Sequence, residues 1–480
     1  MQPAVNPRRW TALAVIALAQ FMVIADTSII GVALPDIRSD LGFSPEDLSW
    51  VFNAYVIAFG GLLLLGGRLS DLFGAKRLFT AGWAVLAAGS LAAGHADSTG
   101  VEIAARAIQG AGSALIVPSA LTLLMMLFGS NPKELTKAFA VYGAAAPAGG
   151  TAGVFLGGVI TEWASWPWVF FINIPVAIIA LALTGLMPAA PARRGSVDLV
   201  GAILATGGLA ALVFAIVRAP EQGWGSTATI AIGAAGLASL ALFVTVQAAR
   251  REPLMRLGIL HSPNLAAANI AQVLLGAAWV PMWFFLNLYL QQVLGLGPLE
   301  SGAALLPMTV AIMLGMVVVA PRVMARIGAK RMVVGGLFVL AGGLALLSLV
   351  RANGSFVVDV LPASLVAAAG MALAFIPSLQ TAISSARPEE GGLASGIVNT
   401  GYQVGSALGL AAMTALAAAH GAGQLGNTGA LTDGYSAAFL AAAGIAVAGG
   451  LVAAVTLRRP KGPAAEPASA DEPERELIAA

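Results

Sequence analysis

One carboxylate, Asp26, stands in the otherwise apolar run Phe21–Ile30, FMVIADTSII. A charge at mid-bilayer costs roughly 2.5–3.5 kcal/mol on insertion scales, so an ionisable group there normally faces a cavity or a partner. Such a carboxylate is suited to binding and releasing a proton, because burial favours its neutral form and a nearby cation its charged form. Arg106, in the run VEIAARAIQG, is the intramembrane cation that could supply the second effect. Asp26 reads as the one acidic residue deep within any apolar run.

These two residues need a scaffold, and composition says which kind. The chain has 480 residues, 58% hydrophobic and 10% charged, with a mean hydropathy of +0.87. Soluble domains carry about 25% charged residues, so the chain reads as an all-α integral membrane protein. A span needs roughly 20 apolar residues. Spans fall near 11–34, 48–66, 78–95, 101–127, 138–160, 166–187, 199–218 and 226–247. Six more fall near 264–290, 301–320, 332–350, 358–380, 393–418 and 435–457, which makes fourteen transmembrane helices. The first follows Arg8 and Arg9 and is too long for a signal-peptide core, so it reads as an uncleaved span.

The positive charges sort accordingly. With the N-terminus inside, the cytoplasmic segments hold Arg8, Arg9, Arg68, Lys76, Arg77, Lys133, Lys137, Arg193, Arg194, Arg250, Arg251 and Arg256. Arg322, Arg326, Lys330, Arg331, Arg387, Arg458, Arg459, Lys461 and Arg475 fall on the same side. Only Arg38, Arg218 and Arg351 fall opposite. Both termini are therefore expected in the cytoplasm, and the Ala-, Pro- and Glu-rich tail over 461–480 reads as disordered.

The chain also repeats itself. GGRLSDLFGAKR (Gly66–Arg77) has an echo 254 residues on in APRVMARIGAKR (Ala320–Arg331), and LGFSPED (Leu41–Asp47) has one in LGLGPLE (Leu294–Glu300). Two matches at nearly one spacing indicate two related six-helix halves. The resulting division is an N-terminal bundle over 1–190, two inserted helices over 191–260, a C-terminal bundle over 261–460 and the tail. Charges are not repeated: Asp71 aligns with Ala325, and apolar residues stand against Asp26 and Arg106.

Five motifs carry a family resemblance. Gly67-x-x-x-Asp71-x-x-Gly74-x-Lys76-Arg77 resembles the loop signature of the major facilitator superfamily, and Gly328, Lys330 and Arg331 repeat its end. ADTSIIGVALPDI resembles the first-span pattern of fourteen-span drug:proton antiporters of the EmrB/QacA type, with Gly31 in place of the usual Asn. RAIQGAGSALIVPSA resembles their fourth-span motif, and GGTAGVFLGG (Gly149–Gly158) their fifth-span antiporter motif, with Val154 where proline is expected. WPWVFFINIP resembles a further motif of theirs, with Pro167 for an arginine. The resemblance implies the major facilitator fold, two six-helix bundles plus two extra central helices. It also implies proton-coupled efflux of amphipathic organic compounds through a bacterial-type inner membrane.

On that reading Asp26 and Arg106 form the proton-coupling pair, at about 12 Å and about 8 Å from the outer surface by helix rise. Asp71 is placed to accept from Arg77 or from a neighbouring helix N-terminus, latching the cytoplasmic ends. Gly149, Gly153 and Gly157 form one smooth helix stripe, next to Gly158, along which helices can approach and slide. Candidate groups along the substrate path are Asn53, Tyr55, Gln109, Trp283, Asn287, Asn399 and Gln403. A competing reading makes Asp26-Thr27-Ser28 a local cap at a break in span one.

Other function classes find little support. There is no cysteine, and His95, His261 and His420 lie far apart, so no zinc spacing appears. No P-loop or HExxH is present, which argues against ATP drive and against a membrane-embedded hydrolase. The first span lacks the acidic motif of peptide symporters. A dedicated exporter of one native metabolite or antibiotic remains the alternative, with an enzyme or receptor behind it. The implied partners are amphipathic small molecules, protons and the lipid bilayer, with no nucleic acid and no cofactor. Whether an adaptor or outer-membrane partner assists is left open.

Overall fold

The structure, a computed structural model, describes residues 8–43, 50–189, 198–250, 253, 257–387, 390–424 and 426–458. The proposed tail and the domain boundaries near 190 and 460 lie outside them, as do Arg193, Arg194, Arg251 and Arg256. Among the described residues there is no strand. The helices are α1 (Arg9–Leu41), α2 (Trp50–Phe73), α3 (Ala75–Gly94), α4 (Thr99–Phe128) and α5 (Pro132–Trp163). Next come α6 (Trp168–Phe171), α7 (Asn173–Leu183), α8 (Leu199–Gln222), α9 (Thr227–Ala249) and α10 (Pro263–Leu288). The last are α11 (Pro298–Leu314), α12 (Ala320–Leu347), α13 (Leu361–Ser384), α14 (Gly391–Ala417) and α15 (Thr428–Thr456).

Helix is what lipid demands, because each backbone group must find its partner within the segment. Among the described residues eleven helical stretches are long and apolar enough to cross a membrane. One of these, Glu300–Leu347, is 48 residues long and includes a single non-helical residue, Gly328. Ile178, Ile203, Leu237, Leu314, Val357 and Val455 are exposed on the outside of the helix array. So wide an apolar surface suits lipid rather than water.

The two GAKR loops share a backbone feature. Gly74 has φ 93°, ψ 132°, and Gly328 has φ 79°, ψ 161°. Side chains of L-residues rarely adopt either conformation, so each loop requires glycine where its helix changes direction.

In the first part of the chain α1 packs on α5, and α4 packs on both α2 and α3. In the last part α12 packs on α13 and α15, and α10 on α14 and α15. The two parts meet where α2 faces α14 and where α5 faces α11, the hydroxyls of Thr151 and Thr309 bonding across the second contact. The inserted pair, α8 and α9, pack on each other, and α8 also lies against α2 and α14. Thr206 of α8 donates to the Gly61 carbonyl at 2.9 Å, and Trp50 and Phe214 rings lie 5.2 Å apart.

The base of the inserted pair is held by one buried carboxylate. Asp198 caps α8 by accepting from the Gly201 amide at 2.8 Å. It also accepts from Gln247 Nε2 at 2.6 Å and pairs with Arg250 at 2.6 Å, both residues belonging to the end of α9. Asp198→Ala removes a cap and leaves buried donors unmatched, an expected loss of about 1–3 kcal/mol. Thermal unfolding in detergent should show it, with Asp198→Asn recovering part of the loss; an unchanged midpoint for Asp198→Ala would contradict the assignment.

Candidate functional site

Asp26 and Arg106 are in direct contact. Arg106 Nη1 donates to Asp26 Oδ2 at 2.7 Å, and the two residues are 0% and 1% exposed respectively. Helix α1 runs unbroken through Asp26, while the Thr27 and Ser28 hydroxyls bond back to the Ile24 carbonyl at 2.7 and 3.1 Å. The break in span one therefore does not occur, because these hydroxyls fold back onto their own helix instead of capping a new end.

A buried ion pair survives only when its remaining hydrogen-bonding capacity is met. Here Asn173 Nδ2 donates to Asp26 Oδ1 at 2.6 Å, and Gln109 Nε2 approaches the same oxygen at 3.4 Å. Arg106 donates through Nε to the Val51 carbonyl at 2.9 Å and through Nη1 to Gln109 Oε1 at 2.7 Å. Ser90 accepts from both Gln109 and Asn173, at 2.8 and 3.1 Å. The guanidinium also lies 4.6 Å from the Tyr55 ring centroid, a cation–π contact. Tyr55 in turn donates to Ser113 Oγ at 2.7 Å. Helices α1, α2, α3, α4 and α7 thus converge on one polar cluster inside an apolar protein.

The glycine stripe is what brings α5 against this part of α1. A Cβ on Gly153 would lie 2.7 Å from the Ala25 carbonyl oxygen, and one on Gly157 2.9 Å from that of Ile29. Gly149 meets the Phe21 carbonyl in the same way, whereas Gly158 faces open space. A small cavity lined by Ala25, Asp26, Ile29, Gly153, Leu156 and Asn173 opens beside the carboxylate.

The loop residues form a second site at the opposite end of the helices. Asp71 accepts from the backbone amides of Gly392 and Leu393, both at 3.0 Å, at the first turn of α14. Of the two acceptor roles open from sequence, the geometry shows the helix N-terminus. Gly67 and Gly392 allow the approach: a Cβ on Gly392 would lie 2.7 Å from the Gly67 carbonyl oxygen. Arg77 and Arg331 are exposed, and Lys76 and Lys330 half-buried.

The substrate-path candidates separate. Tyr55 and Gln109 belong to the ion-pair cluster. Asn53 is buried on α2, and its amide nitrogen has no partner among the described residues. Trp283 stacks near Trp279 with centroids 6.3 Å apart, and Asn287 accepts from Gln291 at 3.2 Å, all on α10 or just beyond it. Asn399 donates back to the Ser395 carbonyl at 2.9 Å, and Gln403 is half-buried one turn further along α14.

Three participants escape a search for lone charges in spans. Asn173 is legible only as part of WPWVFFINIP, and Ser90 looks like one hydroxyl in an alanine-rich run. Glu102, four residues before Arg106, is fully buried, so Asp26 has company as a buried acid. Its spacing from Arg106 was the available signal.

A family profile described as Major Facilitator Superfamily matches residues 16–410. A cephamycin export protein of Amycolatopsis lactamdurans is 39% identical over 442 residues, covering 91% of this chain and 90% of its own. A puromycin resistance protein of Streptomyces alboniger is 35% identical over 452 residues, covering 92% and 90% respectively. Among solved structures, the human organic anion transporter MFSD10 superposes with a TM-score of 0.69 at 15% identity, covering 93% of this chain and all of that one. That last likeness concerns the fold.

If Asp26 and Arg106 hold each other, removing the cation alone strands a buried carboxylate. Arg106→Leu is expected to cost about 3–5 kcal/mol, and the double variant Asp26→Leu/Arg106→Leu should regain most of it. Thermal unfolding of the purified variants measures both; equal losses in single and double variants would refute the pairing.

Proposed function

The chain belongs to the Major Facilitator Superfamily, and on that premise we propose that it exports amphipathic organic compounds in exchange for protons. It is an efflux transporter of the multi-pass membrane class and not an enzyme. The observation that carries proton exchange is the buried Asp26–Arg106 pair, set in helices of membrane length.

In the proposed cycle ionised Asp26 is held by Arg106, Asn173 and Gln109. Protonation from the outer side weakens the pair, and loss of its attraction lets α1 and α5 shift along the glycine stripe. Release of the proton to the inner side restores the pair after substrate has left. Asp71 at the first turn of α14 acts in this cycle as a latch, because a carboxylate at a helix N-terminus is held by free amides and the helix dipole. Breaking that latch opens the end that carries the Gly66–Arg77 loop.

The finer assignment is to fourteen spans of the EmrB/QacA type in an inner membrane, with both termini cytoplasmic. Its support is that α3 and α8 add to the eleven apolar stretches, and Gly328 divides the longest in two. The two halves, 1–190 and 261–460, then flank the inserted pair. Substrate is read as passing between α2, α10 and α14, near Asn53, Trp283, Asn287, Asn399 and Gln403. An Asp26–Arg106 pair of no net charge suits neutral or singly charged compounds. A narrower reading, a dedicated exporter of one antibiotic, is favoured by the names of the cephamycin and puromycin relatives. An efflux panel spanning both compounds and unrelated lipophilic cations separates the two.

Asp26→Asn keeps the size of the side chain and removes its titration. In vesicles under a pH gradient this variant is expected to lose gradient-driven puromycin efflux while remaining monodisperse in detergent. Wild-type efflux by the folded variant would sink the coupling role.

A further inference from the structure

Glu102 has no place in the cycle just described, yet it lies next to its centre. It is 0% exposed, and among the described residues neither carboxylate oxygen has a hydrogen-bond partner. Capping does not account for it. Ser98 is the N-cap of α4, so Glu102 sits one residue beyond the position from which a glutamate reaches back to a cap. It precedes Arg106 by four residues, a spacing that places both on one helix face.

Arg106 shows a matching deficiency. Its Nε and Nη1 are engaged, but Nη2 is buried without a partner among the described residues. Two unpartnered oxygens and one unpartnered donor therefore lie one helical turn apart. Among the described residues, the charged groups acting on Glu102 are Arg106 from its own helix and Asp26 from α1. Two buried carboxylates thus act on one guanidinium.

A buried charge with neither a partner nor a hydrogen bond is too costly to keep, so one of the two acids must be neutral. Asp26 accepts from Arg106 and Asn173 within 2.7 Å, which is the surrounding of an anion. Glu102 accepts from no described residue. We propose that Glu102 is a second proton-binding group of the coupling site, competing with Asp26 for Arg106 and relaying the proton to it.

In the structure the cluster is Asp26 ionised, Arg106 charged and Glu102 protonated. In the exchanged form the O–H bond of Glu102 breaks and one forms on Asp26. Arg106 transfers its hydrogen bond from Asp26 to Glu102, and total charge is unchanged. Glu102 lies in the first turn of α4, about 6 Å nearer that end of the helix than Arg106. Ile30, Ala33, Trp166, Val169 and Phe170 form an apolar plug at the same end. A carboxylic acid within such a plug gives a proton a station between the outer water and Asp26. This inference rests on the proposed coupling role of Asp26.

Infrared spectroscopy of the purified protein at neutral pH tests where the proton resides, without a substrate. The carboxylic C=O stretch of a buried acid, shifted by deuterium, is expected in the wild type and absent in Glu102→Gln. It is also expected to vanish in Asp26→Asn, because Arg106 then turns to Glu102 and ionises it. Persistence of the band in either variant overturns the competition. Glu102→Gln should further slow gradient-driven puromycin efflux by about tenfold or more, as loss of a proton-transfer group does. Its gradient-independent puromycin counterflow should stay at the wild-type level, which a merely misfolded variant would not show. Wild-type gradient-driven efflux in Glu102→Gln overturns the relay alone, whereas gradient-driven efflux retained by Asp26→Asn overturns the coupling role beneath it.

Discussion

A carboxylate and a guanidinium buried together in a low-dielectric interior set the terms for everything around them. Their attraction is large there, but so is the cost of taking both out of water, and the balance turns on how many remaining donors and acceptors find partners. Five helices contribute to that end: α1 brings Asp26, α2 the Val51 carbonyl and the Tyr55 ring, α3 Ser90, α4 Arg106 and Gln109, and α7 Asn173. None of these groups is placed by its own helix alone. The cluster exists only when the helices dock in one arrangement, so packing and charge satisfaction are the same event in this part of the molecule.

The apolar remainder serves that arrangement by permitting close approach. Between lipid and helix there is no hydrophobic drive comparable to that in water, so association relies on van der Waals contact and small residues. Gly149, Gly153 and Gly157 let α5 lie directly on the α1 carbonyls of Phe21, Ala25 and Ile29, the segment that carries Asp26. Any side chain on this stripe would push α1 outward and pull the carboxylate from its donors. The stripe and the ion pair are therefore coupled through a distance of about one helical turn, which is why a change in the charge state can be felt as a change in helix position in the proposed cycle.

Much of this was readable from residues. Composition and apolar runs gave the helical membrane protein, and the two GAKR loops gave glycines that the structure holds at matching positive φ. Asp26 and Arg106 stood out because charges in apolar runs are rare. Contact between them was not readable, because depth along each helix is fixed by sequence whereas azimuth about its axis depends on docking. Ser90 and Asn173 were obscured for a related reason: small neutral polar groups carry no cost large enough to mark them. Glu102 was missed because it lies near a helix start, where an acid is ordinary; only its burial makes it unusual.

The repeat explains why the site is one-sided. Gly74 and Gly328 bend the chain alike, so both halves have the same turn, but Asp71 has its counterpart in Ala325, which offers no carboxylate. Asp71 binds the first turn of α14, so a carboxylate from the first part of the chain holds a helix of the last part. Asp26 and Arg106 likewise face apolar residues at the repeat offset. A symmetric pair of charged clusters would double the desolvation cost. In the proposed path, concentrating charge near α1 and α4 leaves Trp283, Asn287, Asn399 and Gln403 to present an apolar surface with few polar points, a lining that would suit the proposed amphipathic substrates.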